Sequence, residues 1–325
     1  MFDLSNEEES TPFDLNVERI LEDWEVYHAL REVIANALDE QLLSGTREIE
    51  IAKNGEDEWH VRDYGRGLQY EHLTQKENTE KLSNPNMIGR FGIGLKDALA
   101  TFDKHDVKVT IRSRFGDFSV GTMPKYGFED IKTLHAYVSK APSDPDFVGT
   151  EFTFKGVSDD DIQKAKDMFL KFSGETQIER TKYGEVLGKK SEKSRIYING
   201  VRVAEEENFL FSYNITTLTE NIRKALNRER SNVGRTAYAE RVRAILVSCS
   251  TEKVATILAD DLKGYSTGGL HDELKWLDVQ EHAVKILSST EKAVFLTPSQ
   301  MSSETMMVDE AKEAGISIIA VPKTW

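Results

Sequence analysis

Apolar residues recur at helical spacing near the start of the chain, and Gly45 follows where such a helix would end. The pattern predicts a helix between residues 16 and 43, and its apolar face holds Leu30, Val33, Ile34, Ala37 and Leu38. The same criterion predicts further helices over residues 95–101, 159–172, 216–228 and 236–247. Each of these helices would bury one face against another element.

Alternation of apolar and polar residues predicts strands between these helices. Residues 48–53 and 58–63 flank Asn54-Gly55, a dipeptide that takes the positive φ angles of a hairpin turn. More strands are predicted over residues 107–114, 118–123, 150–155 and 195–198. At the carboxyl-terminal end, a strand over 293–297, a helix over 302–314 and a strand over 316–321 are typical of a parallel crossover.

Three polar stretches lack periodicity and mark the predicted domain organisation. Residues 1–15 are acidic and are expected to form a flexible amino-terminal arm. Residues 69–88 form a long polar connection of the kind that often serves as a lid. Residues 174–194 are charged and predict a boundary, with one domain over 16–175 and a second over 195–325.

Composition narrows the class of protein. The chain has 325 residues, a formal net charge of −14 and a single cysteine, Cys249. The cysteine count excludes an internal disulfide and a multi-cysteine metal site, and the acidic total argues against a protein that is basic all over. The sequence has no apolar run long enough to span a membrane and no features of a secretion signal near Met1, so a cytoplasmic protein without a membrane segment is expected.

The first long helix carries a polar stripe beside its apolar face. Glu32, Asn36 and Asp39 are spaced by four and three residues, which places them within an arc of about 60° on a helix. A carboxamide oxygen can bind a hard cation such as Mg²⁺, and a carboxylate can orient or deprotonate water. Taken alone, the stripe is also compatible with an ordinary solvent-exposed helix face.

A glycine-rich turn follows the predicted hairpin. It reads Asp63-Tyr64-Gly65-Arg66-Gly67, and its glycines permit a close approach of a ligand to the backbone. The aspartate can accept a hydrogen bond from an exocyclic amine such as that of adenine. Gly149-Thr150 stands before a later strand and offers a hydroxyl group. Alone, each piece is also compatible with a solvated turn or an ordinary strand start.

A second glycine-rich stretch leads into the helix predicted over 95–101. It consists of Gly89, Arg90, Phe91, Gly92, Ile93, Gly94, Leu95 and Lys96. Backbone N–H groups at a helix N-terminus attract phosphate through their unpaired donors and the helix dipole. The glycine spacing fits neither the Walker nor the dinucleotide pattern, so a phosphate loop and a structural turn both remain open.

The order of these four motifs makes them specific. A Glu-x-x-x-Asn helix, Asp-x-Gly-x-Gly, a glycine-rich loop into a helix, and Gly-Thr before a strand follow one another within residues 32–150. In this order the chain resembles the GHKL (Bergerat-fold) ATPase superfamily, named from gyrase, heat-shock chaperones, histidine kinases and MutL. The sequence REVIANALDE is similar to the heat-shock chaperone and MutL branches, and IGRFGIGLK is similar to the chaperones and the MORC ATPases.

The resemblance implies an α+β fold for the first domain, a two-layer sandwich with a mixed sheet and helices on one face. A smaller transducer-like α/β domain would follow. The implied activity is Mg²⁺-dependent hydrolysis of ATP to ADP and phosphate, which drives closure of a homodimer that works as a molecular clamp or switch. The implied client is DNA or a partner protein, in a prokaryotic defence or DNA-processing system.

The resemblance also implies roles for the helix stripe. Glu32 would be the general base that activates the attacking water, and Asn36 would hold Mg²⁺. Asp39 would support the nucleotide pocket. The stretch from Gly89 to Lys96 would surround the phosphates, and residues 69–88 would form the ATP lid.

The implied adenine contacts come from the turn motifs. Asp63 would accept a hydrogen bond from the adenine amino group, and Gly65 and Gly67 would let the base lie close to the backbone. Thr150 would bond near the adenine through water. These assignments rest on the match to the motifs of the superfamily.

A basic window in the second half of the chain is compatible with two functions. Residues 222–243 contain seven basic and two acidic side chains, an excess that stands out in an acidic protein. The resemblance implies a basic residue that reaches the γ-phosphate, and the sequence leaves the choice open between Arg228, Arg230 and Arg235. The alternative is an ATP-binding module with little turnover, whose second domain docks a partner or nucleic acid.

Overall fold

The computed structural model describes residues 10–15, 17, 23–55, 57–74, 87–88, 94–125, 128–228, 233–263, 269–290 and 293–321. The chain divides into two compact units, Met1–Met168 and Phe169–Trp325. Each unit contains its own sheets, helices and buried core. Among the helices of the described ranges, none combines the length and the apolar character needed to cross a bilayer.

The first unit is built on a seven-stranded sheet. Its strands are β1 (Ser10–Asp14), β2 (Glu50–Asn54), β3 (Glu58–Arg62), β4 (Lys108–Ser113), β5 (Gly116–Lys125), β6 (Phe128–Ser139) and β7 (Thr150–Lys155), in the spatial order β1-β6-β5-β4-β7-β3-β2. The β2–β3 hairpin forms as predicted, with Asn54 paired to Glu58 beside the turn. Each neighbouring pair in this sheet is antiparallel.

Helices lie beside this sheet, and the two that span residues 26–44 and 94–104 contact its strands. They are α1 (Val26–Ser44), α2 (Tyr70–Thr74), α3 (Gly94–Lys104) and α4 (Asp159–Asp167), and α1 contacts both α3 and α4. The apolar stripe of α1 is buried, and Gly45 ends the helix at φ 61°. The buried core includes Leu30, Ile34, Leu99, Phe102, Phe118, Phe152 and Phe154. The α+β class predicted from the sequence is confirmed.

The second unit combines a five-stranded sheet with helices. Its first elements are α5 (Leu170–Ser173), β8 (Thr176–Arg180), β9 (Gly184–Gly188), β10 (Ser194–Ile198), β11 (Val201–Glu206) and β12 (Ser212–Ile215). The strand order is β11-β10-β12-β9-β8, and β10 runs parallel to β12. This sheet therefore contains both parallel and antiparallel strand pairs. The sequence-based prediction places the mixed sheet in the first domain instead.

Helices and a small parallel sheet complete the second unit. The helices are α6 (Glu220–Arg228), α7 (Arg235–Val247), α8 (Glu252–Lys263), α9 (Leu277–Thr290), α10 (Pro298–Ser303) and α11 (Thr305–Glu313), with a 3-10 turn at Asp272–Lys275. Strands β13 (Ala293–Leu296) and β14 (Ser317–Ala320) pair in parallel, as the crossover pattern predicts. The intervening helical segment is split between α10 and α11, where Glu304 takes a non-helical conformation.

Two predicted features of the domain organisation differ from the structure. Part of the expected flexible arm, Ser10–Asp14, is strand β1 and pairs with β6, while residues 1–9 lie outside the described residues. The second unit begins at Phe169, earlier than the predicted boundary, because residues 174–194 contain β8 and β9. Val186 and Leu187 of β9 are fully buried, which explains why this charged stretch is ordered. Of the predicted lid, residues 75–86 lie outside the described ranges.

Candidate functional site

The polar stripe of α1 begins at Glu32, which lies against the first residue of α3. A Cβ atom on Gly94 would be 2.0 Å from Glu32 Oε2, so a larger residue there would displace this carboxylate. Arg31 donates from Nε and Nη2 to Glu32 Oε1 at 3.0 and 2.6 Å. The Arg31 side chain is buried and its guanidinium lies 5.4 Å from the ring centre of Trp24. The buried arginine therefore holds and orients the carboxylate beside α3.

The stripe continues through Asn36 to Asp39. Asn36 is half-buried, one helical turn after Glu32. Asp39 is fully buried, and its Oδ1 accepts a 2.7 Å hydrogen bond from the backbone N–H of Ile88. The Asp39 carboxylate on α1 thus binds the backbone of a residue that lies 49 positions later in the sequence, shortly before α3 begins.

Asp63 lies buried at the end of β3, where its carboxylate accepts backbone hydrogen bonds. Its Oδ1 accepts from Gly65 N at 2.9 Å and from Thr150 N at 3.3 Å, and its own N–H donates to Thr150 O at 3.0 Å. Burial raises the pKa of Asp63 to about 6, against the hydrogen bonds from Gly65 and Thr150, and the nearby Glu40 carboxylate contributes to the increase. Asp63 is therefore a carboxyl group that titrates close to neutrality.

The backbone around Asp63 is packed so closely that glycine is required. Gly149 has φ +84°, and a Cβ atom there would lie 1.9 Å from the carbonyl oxygen of Asp63. Gly67 has φ +91°, and a Cβ atom there would lie 2.9 Å from Ser113 Oγ. Both the conformation and the space explain these glycines without reference to a ligand.

A clasp between Glu40 and Arg66 joins α1 to the turn after β3, and sequence reasoning missed it. Glu40 Oε1 accepts from Arg66 N at 2.8 Å and from Arg66 Nε at 2.9 Å, while Oε2 accepts from Arg66 Nη2 at 2.9 Å. Although burial opposes it, the hydrogen bonds from Arg66 and Ser44 lower the pKa of Glu40. The four-residue spacing of Glu32, Asn36 and Glu40 places Glu40 on the same helix stripe, but it does not indicate Arg66 as the partner.

The predicted phosphate stretch is described only in its second half. Gly94, Leu95 and Lys96 form the first turn of α3, and Lys96 makes a polar interaction there. Gly89, Arg90, Phe91, Gly92 and Ile93 lie outside the described residues. Their predicted contact with phosphate stays a prediction.

In the second unit, Arg235 is bound by two carboxylates. Its Nε donates to Glu206 Oε1 at 2.7 Å, its Nη2 contacts Glu206 Oε2, and its Nη1 donates to Asp272 Oδ2 at 2.6 Å. Glu206 is buried and also accepts from the Tyr238 hydroxyl. This arrangement gives Arg235 a structural task, and its proposed contact with a γ-phosphate stays a prediction. The Arg228 side chain and all of Arg230 lie outside the described residues.

Comparison with known proteins gives relatives in one organism. A family model described as Mycoplasma pneumoniae MPN635 N-terminal domain matches residues 160–252. An uncharacterized protein of Mycoplasma pneumoniae (strain ATCC 29342 / M129 / Subtype 1) is 38% identical over 240 residues, which cover 72% of this chain and 96% of that protein. A second uncharacterized protein of the same strain is 32% identical over 138 residues, which cover 41% of this chain and 38% of that protein.

One solved structure is similar over part of the chain. The 43K ATPase domain of Thermus thermophilus gyrase B, crystallised with an aminocoumarin, is 15% identical and covers 55% of this chain and 61% of its own. The TM-score is 0.28, which is too low to support an argument about this chain. The first Mycoplasma relative carries the assignment instead, because the match spans nearly its whole length. The chain belongs to the same protein family as this uncharacterized protein of Mycoplasma pneumoniae.

Proposed function

We propose that the first unit binds ATP with Mg²⁺ and hydrolyses it to ADP and phosphate. The supporting observation is that four segments far apart in the sequence meet along α1 and β3. Glu32 lies against Gly94, Asp39 binds the backbone of Ile88, and Glu40 binds Arg66. Asp63 and Thr150 bind each other through the backbone and the carboxylate. These are the four motifs whose order resembles the GHKL superfamily.

The residues of the site fit a nucleotide. Asp63 is buried. In the described part of the chain, its carboxylate accepts hydrogen bonds from uncharged groups only and forms no ion pair. Such a carboxylate can accept one more hydrogen bond from an amino group, as the adenine contact requires. The pKa of about 6 leaves Asp63 mostly ionised at neutral pH, so the acceptor is present when the ligand arrives.

The donor set also fits Mg²⁺ held jointly by protein and phosphate. Within the described ranges, there is no group of three or more His, Cys, Asp or Glu side chains that could hold a metal ion without other ligands. Mg²⁺ bound with a nucleotide takes few protein ligands, since phosphate oxygens and water fill most of its coordination sphere. Asn36, on the same stripe as Glu32, would supply its carboxamide oxygen. When bound, the ion would neutralise charge on the phosphates.

Glu32 is the residue in this proposal that touches the reacting water. Its carboxylate would accept a proton from the water as that water attacks the terminal phosphate. Arg31 holds Glu32 Oε1 with two N–H groups and so fixes the direction of the carboxylate, while Oε2 lies toward Gly94. The first turn of α3, with Lys96, would stabilise the phosphates.

Nucleotide-driven closure of a homodimer is the wider part of the proposal. It rests on the resemblance alone, with DNA or a partner protein as the client. Docking of nucleic acid through the basic window of the second unit has less support. Arg235 is bound by Glu206 and Asp272, and Arg243 pairs with Asp278 at 2.9 Å, so part of the positive charge is already neutralised.

The experiment is steady-state turnover and equilibrium ATP binding for the Glu32→Ala variant. Loss of a general base lowers turnover by about 10²- to 10⁴-fold, while the dissociation constant for ATP stays close to that of the wild type. Glu58→Ala is the matched control, because Glu58 is a carboxylate of the same unit in a 3.7 Å surface pair with Lys155. Turnover in Glu32→Ala equal to that in the control would remove Glu32 from the base role.

A further inference from the structure

A cleft of the first unit lies beside the turn that carries Asp63. It has a volume of about 500 Å³, within the usual range for small-molecule sites, and is lined by Thr46, Arg47, Arg62, Tyr64, Asp144, Asp146, Phe147 and Val148. Its lining includes neither Asp63 nor any other residue proposed to hold ATP. This cleft is therefore distinct from the pocket proposed to hold ATP.

Two arginines and two aromatic rings line this cleft, and a third arginine, Arg112, approaches one of the rings from outside the lining. The guanidinium carbon of Arg47 lies 3.5 Å from the ring centre of Tyr64, and that of Arg62 lies 4.8 Å from the same ring. Arg62 also lies 4.2 Å from the ring centre of Phe147, which Arg112 approaches at 5.5 Å. We call this set, Arg47, Tyr64, Arg62, Phe147 and Arg112, the arginine–aromatic ladder. Both rings are buried, so they hold the guanidinium planes in place.

The cations of the ladder form no direct ion pair with a carboxylate among the described residues. Among the described residues, Arg47 and Arg112 are exposed and form no ion pair, and Arg62 donates one hydrogen bond to Val148 O at 3.2 Å. The Arg62 Nε atom is buried and has no hydrogen-bond partner in the described structure. The guanidinium groups of Arg47 and Arg112 contact aromatic rings.

Three carboxylates lie near the ladder, and two of them, Asp144 and Asp146, line the same cleft. Glu50 accepts from the Tyr64 hydroxyl at 2.6 Å and lies 3.5 Å from His60 Nε2. Asp144 accepts from Asp146 N at 3.0 Å in a local turn that lines the cleft. These two aspartates offer acceptor oxygens to any hydroxyl group that enters beside the arginines.

We propose that the ladder binds a phosphate group carried on a hydroxyl-bearing molecule, a sugar phosphate or a nucleic-acid strand. A planar guanidinium held by aromatic stacking keeps its N–H edge available for the two-oxygen contact that a phosphate offers. Arg47 and Arg62 line the cleft together and would share the anion, while Asp144 and Asp146 accept from the sugar hydroxyls. This site is independent of ATP hydrolysis.

The experiment measures binding of three probes by calorimetry at low salt. The probes are inorganic phosphate, ribose 5-phosphate and a short oligouridylate, whose ribose units carry the free 2′-hydroxyl groups that the proposal requires. The test variant is Arg47→Gln, because Arg47 is exposed and its loss leaves the fold intact. Loss of one charge-assisted contact lowers affinity by about 10- to 100-fold. Arg114→Gln is the matched control, because Arg114 is an exposed arginine 5.7 Å from the ring centre of Phe115, outside the ladder.

The outcomes separate the two sources of phosphate. Binding of ribose 5-phosphate that is lost in Arg47→Gln and kept in Arg114→Gln supports a small-molecule ligand. Binding of the oligonucleotide alone, with the same dependence on Arg47 and a steep decrease with salt, supports a strand. Absence of binding by all three probes overturns the proposal, and so does equal affinity in wild type and Arg47→Gln.

Discussion

Asp63 of the first unit and Glu206 of the second are both buried carboxylates, and their hydrogen-bond partners are of opposite kinds. Asp63 of the first unit accepts backbone N–H groups, and its pKa is raised to about 6 by burial. Glu206 of the second unit is bound by the guanidinium of Arg235 and by the Tyr238 hydroxyl. A carboxylate without a cation can still serve a ligand, whereas a carboxylate paired with arginine is already part of the framework.

Arg235 of the second unit and Arg47 of the first also differ in the groups that they contact. Arg235 contacts two carboxylates, which raise its pKa against the effect of burial. Arg47 contacts a tyrosine ring and forms no ion pair with the described residues. Asp63 and Arg47 are therefore the pair of residues we propose for ligands, whereas Glu206 and Arg235 bind each other and hold the fold of the second unit. Substitutions in the two units test this contrast between residues available to a ligand and residues that hold the fold.

The largest effect is expected from removing the arginine of the second unit. Arg235→Ala leaves the buried Glu206 without its cation and should lower the free energy of unfolding by about 2–4 kcal/mol, below the cost for a fully buried pair because Arg235 is 44% exposed. Urea-induced unfolding measures this change. A stability equal to that of the wild type, together with loss of ATP turnover, would instead identify Arg235 as the γ-phosphate sensor.

The control for that prediction lies on the same helix. Arg243 pairs with Asp278 at 2.9 Å, and both side chains are more than two-fifths exposed. Exposed pairs contribute about 0–1 kcal/mol, so Arg243→Ala should leave the unfolding curve almost unchanged. Equal losses in the two variants would contradict the contrast between a framework arginine and a surface arginine.

A smaller effect is expected from pH. Because the folded pKa of Asp63 is raised to about 6, the ionised acceptor is lost as pH falls below that value. ATP affinity should therefore decrease by up to about tenfold per pH unit below pH 6, as one proton is linked to binding. Calorimetry from pH 7.5 to pH 5 measures it, with the Asp63→Asn variant as the control that lacks this proton. An affinity independent of pH in the wild type would exclude Asp63 as the acceptor.

The free energy of unfolding should also depend on pH through Asp63, and the direction follows from its raised pKa. A raised folded pKa means that Asp63 contributes stability below its unfolded value, and the contribution is lost as pH rises through about 6. Asp272 of the second unit behaves oppositely. Although burial opposes it, hydrogen bonds from Lys275, Asn208 and Arg235 lower its pKa to about 2, so its contribution is present above its unfolded value and is lost as pH falls toward 2.

The smallest effect is expected at the clasp between α1 and the turn after β3. Glu40→Gln keeps the shape of the side chain but removes the charge that binds the Arg66 guanidinium. Because Arg66 is 54% exposed, the loss of stability should be about 1 kcal/mol. Removing the Glu40 charge should also lower the pKa of Asp63, which a shift of the pH profile toward acid would detect. An unchanged profile would show that the clasp does not act on Asp63.

The sequence was sufficient to predict the elements with strong local signals. The apolar stripe of α1, the Asn54-Gly55 hairpin and the β13–β14 crossover all correspond to elements of the structure. These features depend on residues close together in the chain, where periodicity and turn chemistry determine the conformation. The stripe of Glu32, Asn36 and Asp39 was visible for the same reason.

Features that depend on distant partners could not be predicted. Strand β1 looked like a flexible arm because its partner β6 lies more than a hundred residues away, and β6 itself was missed. The Glu40–Arg66 clasp joins side chains 26 residues apart, and the Arg235 network joins residues up to 37 apart. Nothing in local spacing indicates such pairs, although both decide which charged residues remain available to a ligand.

The central claim is that a buried carboxylate at Asp63 receives the base of Mg²⁺-bound ATP. Isothermal titration calorimetry of wild type and Asp63→Asn with Mg²⁺-ATP tests it most directly, because the asparagine can still accept from Gly65 and Thr150 while its amide nitrogen no longer accepts from adenine. The account predicts saturable heat for the wild type and a loss of affinity of at least about tenfold for the variant. Absence of heat from the folded wild type, or identical affinities in the two proteins, would contradict it.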